Sequence, residues 1–436
     1  MSKLTLKKQY QTYDRYKDSG IDWMGDVPEG WNVLKLKQFA NVITGNTPPK
    51  SDSENYTKDG TLWIKPNNLD EFHQIYNTTE KISKKGTLTM RIIPARSILV
   101  NGIGDIGRIG INGVDCFTNQ QINSIILNKK KVDFEFGKYM IYSSSKELQA
   151  NSNKVVVPIL NKTQQKNIGY TFPSLPIQQS IASYLNEKTE KIGKIIENKK
   201  RLVGLLEEKR KTIINYAITK GLNKDVEMKN CEVEWVGNIP DSWEIKKLKF
   251  LGEAIIGLTY SPDNVVDNGM LVLRSSNVQN NKIKLDDNVF VNKIIPNKLI
   301  TRIGDILICS RNGSKKLIGK SAVIDKNSQG LTFGAFMAIF RSRHYKFISY
   351  YLQSWIFNNQ LSSTLTTTVN QLTNRDIKNL IILLPPKDEQ QKIVDYLDEQ
   401  TKKIDNLINK VNQSVNLLIE YKSSLISHVV SGRVKV

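Results

Sequence analysis

Two stretches of this chain repeat each other at a fixed distance, and that repeat constrains the fold more than any other feature. Trp23-Met-Gly-Asp-Val-Pro28-Glu-Gly-Trp31 is matched 212 residues later by Trp235-Val-Gly-Asn-Ile-Pro240-Asp-Ser-Trp243. The spacing holds through Leu36/Leu248, Gly45/Gly257 and Thr47/Thr259. It returns far downstream, where Gln178-Gln179-x-Ile181-x-x-Tyr184-Leu185 matches Gln390-Gln391-x-Ile393-x-x-Tyr396-Leu397. Two distant blocks sharing one offset indicate an internal duplication. Between these anchors the copies diverge: Leu62-Trp-Ile-Lys65-x-x-Asn68 aligns with Leu271-Val-Leu-Arg274-x-x-Asn277 only at 209 residues. Similar flanks imply one shared scaffold, and dissimilar middles imply two surfaces doing related jobs on different targets.

The downstream block of each copy opens a long helical pattern. Ile181, Leu185, Ile192, Ile195, Leu202, Leu206, Ile213 and Tyr216 step by threes and fours, with Lys188, Lys199 and Lys209 interrupting the register. The last segment repeats this with Ile393, Leu397, Ile404, Leu407, Val411, Leu418, Tyr421 and Leu425. Each run starts after proline (Pro173/Pro176 and Pro385/Pro386) and closes near glycine (Gly221 and Gly432). About 40 residues of helix span roughly 60 Å. Two such helices with polar interruptions pair more comfortably than either stands alone, and the order domain–helix–domain–helix makes that pairing antiparallel. Separate packing on each domain, or a seam for another chain, are the competing arrangements.

The segments between are β-rich, with runs such as Ser97–Val100, Asn123–Leu127 and Ile306–Cys309 broken by Gly and Asn turns. A small helix near Glu135–Gln149, matched by Tyr345–Leu361, closes each. The expected class is α+β: two duplicated globular domains separated by two long antiparallel helices forming a coiled coil. The expected boundaries are a flexible arm over 1–22, a first domain over 23–172, a helix over 173–222, a second domain with its entry segment over 223–383, and a closing helix over 384–436.

Composition narrows the partner. Sixty-three Lys and Arg against 42 Asp and Glu leave a formal charge of +21, which favours a polyanion through counterion release from phosphates. The three cysteines and three histidines are scattered without metal-ligand spacing, so a reducing cytoplasm fits and a zinc site does not. No apolar run suits a signal peptide or a membrane span.

Several motifs invite an enzymatic reading and fail on spacing, context or residue type. Gly102-Ile-Gly104-Asp-Ile-Gly107 has the dinucleotide glycine pattern but is followed by turn-rich sequence, not a helix that would meet a pyrophosphate. Gly313 to Lys320-Ser321 places five residues where a phosphate loop needs four. The Pro-Pro pairs of Thr47–Lys50 and Leu384–Lys387 lack the aromatic partner of amino-methyltransferases. No catalytic or metal-binding constellation emerges. The candidates for base readout are side chains that pair donors with acceptors. In the first domain these are Lys65, Asn67, Asn68, Asn101, Arg108 and Gln120, with Asn119 and Gln121 beside them. In the second they are Arg274, Asn277, Arg311, Asn312, Lys315 and Lys316. Thr44–Thr47 and Ile256–Thr259 are candidates for phosphate contacts through amides and hydroxyls.

Taken together, the chain resembles the specificity subunits of type I restriction–modification systems over nearly its full length. The carrying motifs are Ser19-Gly-Ile-Asp-Trp-Met-Gly-Asp-Val-Pro28-x-x-Trp31 and its second copy, whose Cys231-Glu-Val-Glu opening departs from the usual Ser-Gly. The others are Leu175-Pro-Ile-Gln-Gln-x-Ile181, Glu389-Gln-Gln-x-Ile393 and Ala217-Ile-Thr-Lys-Gly-Leu222. The resemblance implies a non-catalytic DNA-recognition subunit. Each target recognition domain would read one half of a bipartite asymmetric site, and the paired helices would set the unread gap. It implies double-stranded DNA, two methyltransferase subunits docked on the helices, and restriction subunits as partners. S-adenosylmethionine, ATP and magnesium would belong to those partners, with no cofactor in this chain. A stand-alone coiled-coil DNA-binding protein without enzyme partners is the alternative.

Overall fold

A computed structural model of the chain describes residues 11–152, 158–231, 233, 235–365 and 370–436. The chain divides into two units, Met1–Lys199 with Gln413–Val436, and Lys200–Asn412. The duplication is legible in each as the same succession of elements.

In the first unit, a five-stranded sheet runs Ala40–Thr44, Ile122–Leu127, Ile98–Asn101, Ile109–Asn112 and Gln74–Ile75. Its pairings are antiparallel except the last, where Ile109–Asn112 and Gln74–Ile75 run parallel. A second sheet orders Cys116–Thr118, Thr61–Ile64, Lys81–Ile82 and Tyr56–Thr57. Because side chains alternate along a strand, Ile98 and Val100 face the helix Phe134–Ser143, packing with Phe136, Tyr139 and Met140, while Leu99 turns to Leu62, Ile64 and Cys116. The sheet is therefore buried on both faces.

The second unit repeats this. Glu253–Ile256, Met337–Arg341, Ile306–Cys309 and Ser321–Val323 form an antiparallel sheet. A second sheet orders Val265–Val266, Phe290–Val291, Met270–Leu273 and Thr332–Phe333, the last pair parallel. Ile306, Ile308, Ala338 and Phe340 pack on the helix Tyr345–Tyr351, and Leu307, Cys309 and Ile339 pack on Val272, Leu273 and Phe333.

The long helices occupy Leu175–Lys220 (46 residues) and Lys387–Val430 (44 residues). Each stops at a glycine with positive φ, 76° at Gly221 and 73° at Gly432. Within the first unit, Ile181, Leu185 and Ile192 share one core with Leu425, Ile426 and Val429. Within the second, Ile214, Ala217 and Ile218 share a core with Ile393, Val394 and Leu397, and Arg210 Nε donates to Asp405 Oδ1 at 3.1 Å. The start of one helix meets the end of the other in both units, so the pairing is antiparallel. Among the described residues no helix is long and apolar enough to cross a membrane.

The repeated Gln-Gln block acts as a clamp. Gln178, fully buried, accepts from the Asp133 amide at 2.9 Å and donates to Pro173 O, tying the closing helix to the start of the long one. Gln390 does the same through His344 Nδ1 at 2.8 Å and Pro385 O at 2.7 Å. One step along the interface, Tyr139 Oη donates to Asn186 and meets Thr189, as Tyr350 Oη does with Asp398 and Thr401. Burial pushes the Tyr139 hydroxyl up to about 12, so it remains a donor at any physiological pH.

One expectation needs adjustment. The arm over 1–22 is not free in its described part. Tyr16–Asp18 pairs with Asp26–Pro28, and Tyr13 packs edge-on against Trp31 with centroids 5.6 Å apart. Residues 1–10 lie outside the described residues. The matching strands Met228–Asn230 and Asn238–Pro240 show that this hairpin belongs to the repeat.

The copies differ inside as well. Gln165 is fully buried with no partner for either amide atom among the described residues, whereas its counterpart at the 212-residue offset is Ile377, a core residue. Substituting Gln165→Ile should therefore stabilise the protein by about 1–3 kcal/mol, since an unsatisfied buried amide carries a penalty of that order. Denaturant unfolding checks this. A loss of stability would mean that buried water satisfies the amide.

Candidate nucleic-acid interface

The loops that follow the central strands gather at one end of each unit around a three-residue turn, and backbone bonds define this turn identically in both copies. Asn119 N donates to Ile64 O at 3.1 Å, as Gly334 N does to Leu273 O at 3.0 Å. Ile122 N donates to Asn119 O, as Met337 N does to Gly334 O. Gly102 N donates to Gln121 O at 2.7 Å, as Ser310 N does to Phe336 O at 3.0 Å. Gly45 N donates to Ile122 O and Gly257 N to Met337 O, both at 3.1 Å. Residues 119–121 and 334–336 are thus the same turn. Around it sit the chain after Gly45 or Gly257, the chain after Ile64 or Leu273, and the loop beginning at Gly102 or Ser310.

The repeated glycine is required by this crossing. A Cβ on Gly45 would lie 2.2 Å from Thr118 O and 2.4 Å from Asn119 O, and on Gly257 2.2 Å from Gly334 O. The first glycine of the declined dinucleotide pattern, Gly102, likewise serves this loop, which leads into the strand Ile109–Asn112 and not into a helix.

In the first unit, the turn displays exposed Gln120, whose Oε1 accepts from the Thr47 hydroxyl. Asn119 is buried and donates to Gln121 Oε1 at 2.9 Å. Asn67 is exposed at the tip of the neighbouring turn. Lys65 lies over Trp63, 4.7 Å from its centroid, and pairs with Glu80. Arg108 reaches back to Leu69 O at 2.7 Å. Asn101 is 2% exposed, and its amide donates to Ile103 O and Asp105 O. Asn68 accepts from the Lys65 amide at 2.9 Å.

In the second unit, Arg274 pairs with Asp287 at 2.9 Å, and Asn277 accepts from the Arg274 amide at 2.8 Å. Asn277 is fully buried and also donates to Lys284 O and Asp287 O. The preserved Lys65/Arg274 and Asn68/Asn277 pairs therefore build one turn twice, and Asn101 and Asn277 have no free atom at the surface to offer a base in this conformation. The structure brings Arg311 and Asn312 together at the shared turn: the Arg311 guanidinium lies 5.2 Å from the Phe336 centroid, and Asn312 donates to Ser275 Oγ at 3.3 Å. On the same loop Lys315 reaches Leu365 O at 3.3 Å and Lys316 is exposed. Cys309 lies beneath them, and burial pushes its thiol up, so it stays protonated at neutral pH.

Phe336 escaped the sequence reading because a search for paired donors and acceptors passes over phenylalanine. Aligning Thr332-Phe-Gly-Ala-Phe336 with Phe117-Thr-Asn-Gln-Gln121 through the shared turn would have exposed it.

Comparison with known proteins agrees with the duplicated architecture. The family model for the type I restriction modification DNA specificity domain matches residues 28–203 and again 240–417. The MjaVIII specificity subunit of Methanocaldococcus jannaschii is 26% identical over 427 residues, covering 94% of each chain. The MjaIX specificity subunit of the same organism is also 26% identical, covering 99% of this chain and 98% of its own. A solved chain from a study of complex assembly and conformational transition in the type I R-M system superposes with a TM-score of 0.68 at 16% identity, covering 93% of this chain and 98% of its own. With the domain matched twice, at the spacing of the internal repeat, this chain belongs to the type I restriction modification DNA specificity family.

Proposed function

We propose that this chain is the non-catalytic DNA-reading subunit of a type I restriction–modification complex, with each unit reading one half of a bipartite, asymmetric site. The observation that carries this is the shared turn: both units hold it with the same backbone bonds, yet its sequence is Asn119-Gln120-Gln121 in one and Gly334-Ala335-Phe336 in the other. Such a scaffold presents different side chains in one fixed frame, as reading two different sequences requires. The charge of +21 supplies affinity for phosphates without sequence information. On this reading the helix pairs set the unread gap and dock two methyltransferase subunits. Those subunits would bring S-adenosylmethionine, and restriction subunits would bring ATP and magnesium, all in the cytoplasm.

Exchanging residues 23–172 for the corresponding domain of a relative tests the reading. The expected result, by mapping methylated bases genome-wide in cells carrying the exchange, is one altered half-site and one unchanged. Alteration of both halves would contradict independent reading by the two units.

A further inference from the structure

The two units differ in kind, not only in identity, at the shared turn. In the second unit Phe336 is 58% exposed, a large apolar surface at the centre of a polar loop cluster. Single exposed apolar residues are ordinary on protein surfaces, but this one is held in place. Its carbonyl accepts from Ser310 N, Arg311 N and Ser310 Oγ, each at 3.0 Å, and the Arg311 guanidinium lies over its ring, 5.2 Å from the centroid. The counterpart of Phe336 is Gln121, through the matching bonds to Ser310 and Gly102. The counterpart of Arg311 is Ile103, through the matching bridges Arg311–Gln371 and Ile103–Ile159. Both members of the pair therefore change together between the copies: a cation–π Arg–Phe pair in one, an Ile and a Gln in the other.

We propose that Phe336 is a specificity-determining residue that meets a base of the second half-site by apolar contact, with Arg311 beside it as the charged reader. This inference rests on the proposed DNA-reading function and says how the second unit performs it. An aromatic ring with only two side-chain torsions, carried on a backbone held by three hydrogen bonds, loses little conformational freedom on binding. It can pack on a thymine methyl or on the face of a partly unstacked base, and neither contact needs a donor or acceptor. The neighbouring guanidinium suits the O6/N7 edge of a guanine. The first unit, carrying Gln120 and Gln121 at the same place, would read by hydrogen bonds.

The test is selection of the full chain against randomised duplex DNA, followed by binding to the selected duplex and to its single-position variants. Phe336→Ala and Phe336→Gln should each reduce binding about tenfold or more. Discrimination should relax at one position, or two adjacent ones, of one half-site, with the other half-site unchanged. Phe336→Leu should keep part of the preference. At the affected position, uracil in place of thymine separates the two contacts: a loss matching that of Phe336→Ala identifies the methyl, and no loss identifies the base face. An unchanged pattern in both variants overturns the proposal. So does a uniform loss across all positions, which would mark Phe336 as a general or structural contact. Should the unaltered chain select no sequence at all, the DNA-reading function itself fails, a result distinct from selection that ignores Phe336. Because the ring is exposed and the first unit carries Gln at this place, Phe336→Gln should keep its fold, which far-UV circular dichroism checks.

Discussion

Gly257→Ala is expected to abolish reading of one half-site while leaving the other intact, and Gly45→Ala to do the reverse. An added methyl would sit 2.2 Å from the Gly334 carbonyl oxygen and 2.4 Å from that of Phe333. Backbone atoms cannot rotate aside as a side-chain tip can, so the turn 334–336 must move by an appreciable fraction of an ångström. That displacement carries Phe336, and with it the Ser310 and Arg311 amides that donate to its carbonyl. Base readout tolerates little misplacement, because each good bidentate contact is worth about 1–3 kcal/mol only when aligned. Several positions shifting together should lower discrimination at that half-site by about a hundredfold or more. The mutation is small, and its effect should be local: Gly193→Ala, on an open stretch of the first long helix where nothing lies within 4 Å of the new methyl, should be neutral or stabilise by up to about 1 kcal/mol. Binding to duplexes altered in one half-site at a time reads the outcome. Equal loss at both half-sites would show that the turn supports the whole protein and not one reading surface.

The same pair of glycines shows what a sequence repeat discloses. The repeat and its domain–helix–domain–helix order led directly to the duplicated scaffold, the antiparallel helix pairs and their closing glycines, because those features demand particular residues at particular places. A glycine at a backbone crossing, a glutamine between a helix start and its neighbour, and a proline before a helix each have few substitutes. The candidate site was harder to read for the same reason turned round. Persistence of Lys65/Arg274 and Asn68/Asn277 suggested shared readout chemistry, but the asparagines close a turn and Asn277 is buried within it. What a duplication retains is what the fold requires, whereas side chains free to read different targets diverge. The informative positions were those where an identical backbone frame holds unlike residues, and finding them needed the hydrogen bonds. Trp31 and Trp243 make the point inside the core: both are buried, but Trp243 Nε1 donates to Glu389 at 3.0 Å, while the residue equivalent to Glu389 is Ile177 and Trp31 Nε1 finds no acceptor among the described residues.

The other large effect concerns a charge buried in one copy and absent from its twin. Asp305 is 2% exposed, and Arg341 grips it with two bonds of 2.7 Å, while the Arg302 amide donates to the same carboxylate at 2.8 Å. Strand pairing places Ser97 and Ile126 at the corresponding positions of the first unit, since Ile98 faces Ile125 as Ile306 faces Phe340. The fold therefore accommodates these positions without charge. Arg341→Ala should cost about 3–5 kcal/mol, because it strands a carboxylate where water cannot solvate it. The double substitution Asp305→Ser with Arg341→Ile, which installs the residues of the first unit, should recover most of that loss, because removing both charges also removes the cost of desolvating them. A double-mutant cycle by denaturant unfolding of the full chain separates the terms, with each single variant and the pair measured side by side. If the double variant is as unstable as Arg341→Ala alone, the ion pair is holding together something that the first unit secures by other means. If it recovers, the pair is one arrangement among several that the duplicated sheet accepts, and its presence in only one copy needs no functional explanation.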